Sequence, residues 1–250
     1  TCHPRRRIED DEGLKKLLEA DTRQVTIVGK AWDFHVRKVL NVSLKRNLSL
    51  IEDTIRFLIS RGREVFFDAE HFFDGYKENP SYALSVLAEA EKAGAARIIL
   101  CDTNGGSMLE CVSEAMQAAK NTVRAPLGIH IHNDSGLATA NTLLAVENGA
   151  TQVQGTINGY GERCGNADLC IIIPNLCLKM GIQVVTKSQL MNLREVSHYI
   201  SELANIPPRT NQPYVGHSAF AHKGGWHADA VGKDPRTCEH VPPESVGNYR

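Results

Sequence analysis

Five short apolar, β-rich runs recur along the chain, at residues 25–28, 65–67, 97–101, 127–132 and 151–156. Stretches of helical length lie between them. The longest, residues 33–61, places Val36, Val39, Leu40, Leu44, Leu48, Ile51, Ile55 and Leu58 at three- and four-residue spacings, which is the apolar stripe of an amphipathic helix. Asn79-Pro80 opens the next helix and Gly94 closes it, because proline suits a first helical turn and glycine a helix end. Residues 136–147 and 166–179 follow the same plan and close at Gly149 and Gly181. Strands alternating with helices at intervals of roughly thirty residues predict an α/β chain with a parallel sheet.

Two architectures satisfy that alternation, an open doubly wound sheet and a (β/α)8 TIM barrel. The polar residues favour the barrel. Nearly every strand ends in a polar cluster: Gly29-Lys30, Asp68-Ala69-Glu70-His71, Asp102-Thr103-Asn104, His130-Ile131-His132-Asn133-Asp134, and the segment from Asn158 to Asn166. A barrel collects residues from many strand ends at one face, whereas an open sheet concentrates its ligand at one crevice. Only five strands are visible, so the barrel is expected to be incomplete, with these as the last five and three more preceding Thr1. The chain begins Thr-Cys-His-Pro and stops at Gly-Asn-Tyr-Arg, and it is expected to be a piece of a longer polypeptide. After Gly181 the pattern changes. Residues 186–205 read as one more helix, then come Pro207-Pro208, a Gly/His-rich stretch and a Pro-rich tail. The expected division is 1–183 for the partial barrel and 184–250 for a small helical linker region.

Composition narrows the functional classes. The net charge of -1 gives no support for a nucleic-acid partner or an anionic membrane surface. Seven cysteines, an odd number with no CxxC pair, argue against a disulfide framework and a thiolate zinc site. No apolar run reaches membrane-spanning length, and no signal-peptide pattern opens the chain. A reducing, cytoplasmic setting without a membrane partner is the expectation.

His130 and His132 are the sharpest local signal. Residues i and i+2 of a strand share a face, so both imidazoles can bind one metal ion; the alternative is two hydrogen-bonded histidines in a polar barrel mouth. Glu70 can bind metal or act as a general base, or it can form a structural salt bridge to a neighbouring strand end. The Thr103 hydroxyl can hydrogen-bond a substrate carboxylate or cap a helix. Residues 158–166 form a Gly-rich loop before a helix, a setting that favours close backbone approach and anions, though no Walker A pattern is present. His217, His222 and His227 punctuate residues 215–231 and offer either a metal site or one functional histidine among incidental ones.

Together these segments resemble a known family. His-Ile-His-Asn-Asp-Ser-Gly-Leu-Ala at 130–138 and Gly-Tyr-Gly-Glu-Arg-Cys-Gly-Asn at 159–166 look like the two signature segments of the isopropylmalate, homocitrate and citramalate synthase family. Residues 219–231 resemble its linker motif. Residues 68–76, 101–106 and 241–248 are closer to the citramalate branch than to the isopropylmalate branch.

The resemblance implies a (β/α)8 barrel and a divalent metal (Mg, Mn or Zn). It also implies condensation of acetyl-CoA with a small α-keto acid, which in this branch is pyruvate, in isoleucine biosynthesis. It assigns His130, His132 and Asn166 to the metal, Thr103 to the keto-acid carboxylate, and Glu70 and His227 to catalysis. It further implies a homodimer whose linker reaches across the subunits. Besides 2-isopropylmalate or homocitrate synthesis within the same family, a related metal-dependent barrel lyase and a non-catalytic scaffold are the alternatives. The linker motif argues against the lyase, and the retained Glu70, His130 and His132 argue against the scaffold. The family's Leu-Arg-Asp-Gly segment on the first strand does not occur in this sequence, so a complete active site is not expected within it.

Overall fold

The computed structural model describes residues 3, 4 and 7–250. The chain divides into two compact units, Thr1–Gln154 and Gly155–Arg250.

In the first unit, β1 (Gln24–Lys30), β2 (Glu64–Glu70), β3 (Arg97–Asp102), β4 (Leu127–Ile131) and β5 (Gln152–Gln154) form one parallel sheet in sequential order. The five expected strands are therefore present, and among the described residues β1 and β5 are its edges. The helices are α1 (Glu12–Glu19), α2 (Leu44–Ser60), α3 (Phe72–Glu78), α4 (Pro80–Ala93), α5 (Leu109–Thr122) and α6 (Ala138–Glu147).

Local chemistry sets the helix bounds. Asn79 caps α4 by accepting from the Tyr82 N–H, Pro80 is its first residue, and Gly94 closes it at φ 106°. The single helix expected over 33–61 is broken. A short turn, Asp33–His35, runs into a π-helical turn, Val36–Leu40, and ends at left-handed Asn41 (φ 53°). Ser43 then caps α2 through the Arg46 N–H. The apolar spacing continues across this break, which is why periodicity alone did not reveal it.

One face of the sheet is packed against helices. On β2, Val65, Phe67 and Ala69 are fully buried while Phe66, Asp68 and Glu70 on the opposite face are partly exposed. Leu50, Ile51, Ile55 and Leu58 of α2 and Val86, Leu87 and Ala90 of α4 complete this core. Gly29 lets the Phe67 ring sit close to β1, since a Cβ there would lie 2.5 Å from Phe67 Cε2.

The opposite face is concave. Gln154 of β5 donates from Nε2 to Asp68 Oδ1 of β2 at 3.0 Å. Those strands are three places apart, about 14 Å in a flat sheet, too far for two upright side chains to meet. The bond therefore requires the sheet to curve, as an arc of a (β/α) barrel does.

The second unit holds α7 (Leu169–Pro174), α8 (Lys187–Leu190), α9 (Leu193–Leu203) and α10 (Gly225–Lys233). Cys170, Leu190, Leu193, Tyr214, Val215, Phe220, Val241 and Val246 form its apolar core. The two compact units divide between Gln154 and Gly155. The helix after the fifth strand contributes Cys170 to the second core, so residues 155–183 cluster with residues 184–250. The helix expected over 186–205 is two, α8 and α9, with α8 opened by a Thr186–Gln189 capping box.

Candidate functional site

The polar residues of the first unit gather at the C-terminal ends of its strands. Register places Lys30 beside Glu70, and the two form an ion pair in which both side chains are mostly covered. Beyond Glu70 the chain turns through His71 in the left-handed region (φ 56°). The Thr103 hydroxyl accepts from the His71 backbone N–H at 2.9 Å, which ties the end of β3 to the end of β2. The His71 ring is buried beside Trp32 and His35, with its Nδ1 3.2 Å from Asp74 Oδ2. Asp102 accepts from the Ser107 N–H at 3.0 Å, and burial raises its carboxyl above the usual range.

His130 ends the pairing of β4 with β5 and His132 follows two residues later, just past the end of β4, with ring centroids 5.1 Å apart. The His130 Nδ1 lies 3.0 Å from Gln154 Oε1. Burial lowers the proton affinity of His130, and the neighbouring His132 lowers it further, which favours the neutral imidazole, the form that ligates metals. Asp68, at the other end of the Gln154 amide, is pushed up to about 6 by burial, partly offset by the Gln154 hydrogen bond. Asn133 accepts from the Ala138 N–H at 3.1 Å and so anchors the start of α6. Glu70, Thr103, His130 and His132 thus lie on the ends of three consecutive strands.

In the second unit the Gly-rich loop folds onto itself. Gly165 (φ 89°) is packed so tightly that a Cβ there would lie 2.0 Å from the Gly159 carbonyl oxygen. Asn166 donates its backbone N–H to Gly159 at 3.0 Å and its Nδ2 to Tyr160 at 3.4 Å, while its buried Oδ1 has no hydrogen-bond partner among the described residues. Beneath the loop, left-handed Asn158 donates to the Ser197 carbonyl and the Ser201 hydroxyl and accepts from the Ser197 hydroxyl and Gln212. Gln212 also donates to Asp168, whose carboxyl burial raises. His227 lies near the start of α10, its Nδ1 3.3 Å from Cys238 Sγ. His222 faces Glu239 at 3.7 Å. Among the described residues no three His, Cys, Asp or Glu side chains gather into a metal-holding group, so His217, His222 and His227 do not form one. Six cysteines are free thiols, and Cys2 lies outside the described residues.

Sequence reasoning overlooked the pairing of Gln154 with His130, the Asp68 carboxylate behind it, and the Asn158 network. Asp68 and Glu70 share the less buried face of β2, but nothing in a linear pattern brings β2 to β5.

Residues 5–200 match the HMGL-like family, and residues 214–250 match the homocitrate synthase post-HMGL domain-like family. An (R)-citramalate synthase of Synechocystis sp. is 52% identical over 100% of this chain and 47% of its own length. One of Geobacter sulfurreducens is 53% identical over 96% of this chain and 46% of its own length. The chain therefore spans about half the length of these curated relatives. Among solved structures, the Bacillus subtilis HMG-CoA lyase superposes with a TM-score of 0.68 at 22% identity, covering 80% of this chain and 70% of that one, a likeness of fold. With the barrel-arc geometry, the strand-end cluster and a family match extending over residues 5–200, the chain belongs to the HMGL-like family.

Proposed function

We propose that the whole protein is an acyl-CoA condensing enzyme that joins acetyl-CoA to pyruvate to give citramalate and CoA, using a divalent cation held in part by His130 and His132. The observation that carries this reading is the pair of adjacent imidazoles on the barrel's concave strand ends, in a chain about half identical to proteins named (R)-citramalate synthase. The donor set fits a divalent cation. Burial and the neighbouring His132 lower the proton affinity of His130, which favours the neutral form that ligates metals, and the family resemblance offers the Asn166 amide oxygen, a hard donor, as a further ligand. A cation bound there supplies Lewis-acid polarisation of a keto oxygen.

The chain's own residues do the rest. The Thr103 hydroxyl orients the keto-acid carboxylate. Glu70 is the carboxylate that accepts a proton from the weakly acidic acetyl methyl group, and the ion pair with the adjacent Lys30 ammonium orients it. His227 is its partner in proton transfer, provided from the linker region. Condensation followed by thioester hydrolysis releases CoA thiol. We place the protein in the cytoplasm as a homodimer acting in isoleucine biosynthesis, as the family resemblance suggests; among the described residues no helix is long and apolar enough to cross a membrane.

The test is a thiol-release assay on the whole protein with acetyl-CoA and each of several keto acids. The expected result is a higher kcat/KM for pyruvate than for 2-oxoisovalerate. The reverse order would move the assignment to isopropylmalate synthesis. Absence of thiol release with every keto acid, in protein supplied with Mg2+ or Mn2+, would overturn the condensing reading.

A further inference from the structure

The ladder between β4 and β5 ends by pairing His130 with Gln154, so the two side chains stand side by side on the concave face. The Gln154 amide is used at both ends: Nε2 lies 3.0 Å from Asp68 Oδ1, and Oε1 lies 3.0 Å from His130 Nδ1. A glutamine amide has one donating end and one accepting end, and a carboxylate accepts only. Flipping the amide would turn Oε1 against the Asp68 oxygen and the NH2 group against His130, losing the bond to Asp68. Asp68 therefore sets which way the amide points, and only an acceptor faces His130 Nδ1. A neutral imidazole carries its single proton on the nitrogen that has an acceptor, and the other nitrogen keeps its lone pair.

We infer that Gln154, oriented by Asp68, is a positioning residue that holds His130 as the Nδ1–H tautomer and leaves its Nε2 lone pair for a divalent cation. The inference rests on the cation site of the proposed function. It adds the residues behind that site: metal-ligating histidines characteristically give their second nitrogen to an acceptor, and removal of such an acceptor weakens metal binding about 10–100-fold. Here the acceptor comes from the short strand β5 and is itself aligned from β2, so three strands set one ring.

The experiment uses the whole protein labelled with 15N at histidine. The tautomer is read by NMR in metal-free protein, and Mn2+ or Zn2+ affinity is read by calorimetry. Wild type is expected to show His130 protonated at Nδ1. Gln154→Leu is expected to lose that preference and to bind the cation about 10–100-fold more weakly. The double variant Gln154→Glu/Asp68→Asn rebuilds the same bonds with the charge moved, since Glu accepts from His130 and from the new amide. It is expected to restore both readouts, which a merely structural staple between β2 and β5 does not require. His130 protonated at Nε2 in wild type would overturn the inference. So would wild-type affinity in Gln154→Leu when His130→Ala has lost it. Wild-type affinity in His130→Ala is a different result, and it overturns the cation site itself together with the inference.

Discussion

Replacing Asp68 by asparagine tests the electrostatics of the concave face directly. The carboxyl is pushed from its usual 3.8 to about 6 by burial, with the Gln154 hydrogen bond opposing the shift. A carboxyl raised in the fold binds its proton more tightly there than in the unfolded chain. Its contribution is fully present below about pH 4 and is lost as pH rises through about 6. Each pKa unit corresponds to about 1.36 kcal/mol, so keeping Asp68 ionised in the fold costs about 3 kcal/mol above pH 7. The asparagine side chain keeps an oxygen that accepts from Gln154 and has no charge to desolvate. Asp68→Asn is therefore expected to match wild type near pH 4 and to exceed it by up to about 3 kcal/mol at about pH 7.5. Urea unfolding of both proteins across that range gives the difference, and because the other carboxylates are common to both, their titration cancels. A difference that stays flat with pH, or a variant that loses ground as pH rises, would refute the reasoning.

Gly29→Ala is expected to cost about 1–3 kcal/mol in urea unfolding, because its methyl would meet the buried Phe67 ring at 2.5 Å; Phe67→Leu in the same chain should relieve part of that cost. Asn158→Ala should destabilise the chain by about 2–4 kcal/mol, since it strands Ser197, Ser201 and Gln212 in a buried network; a change under about 0.5 kcal/mol in the same assay would contradict this. Gly165→Ala meets both a φ of 89° and a carbonyl oxygen at 2.0 Å, and proteolysis should cut the 158–166 loop faster than in wild type. In the whole protein, Glu70→Gln should lower kcat by about 100-fold or more while leaving cation affinity within a few-fold, if the carboxylate moves the proton; unchanged kcat would remove it from catalysis.

The amino-acid sequence by itself determined the period of the fold. Apolar runs of strand length, separated by stripes of helical spacing and closed by Gly94, Gly149 and Gly181, specify five parallel strands because each element's burial pattern is local. It also determined that His130 and His132 share a face, since the two-residue period of a strand is a property of the backbone. Tertiary structure decided what lay beyond local reach. The α2 register depends on a left-handed Asn41 that interrupts an otherwise continuous apolar stripe. On α9 the buried positions include Ser197 and Ser201, while Val196, Tyr199 and Leu203 are exposed; the Asn158 amide needs partners inside the second unit, and its hydrogen bonds outweigh the helix's own apolar preference there. Residues 155–183 cluster with residues 184–250 because Cys170 shares an apolar core with Leu190 and Tyr214, residues that no sequence period connects. The link from Asp68 through Gln154 to His130 exists only because the sheet curves, bringing β2 and β5 within hydrogen-bonding reach across two intervening strands.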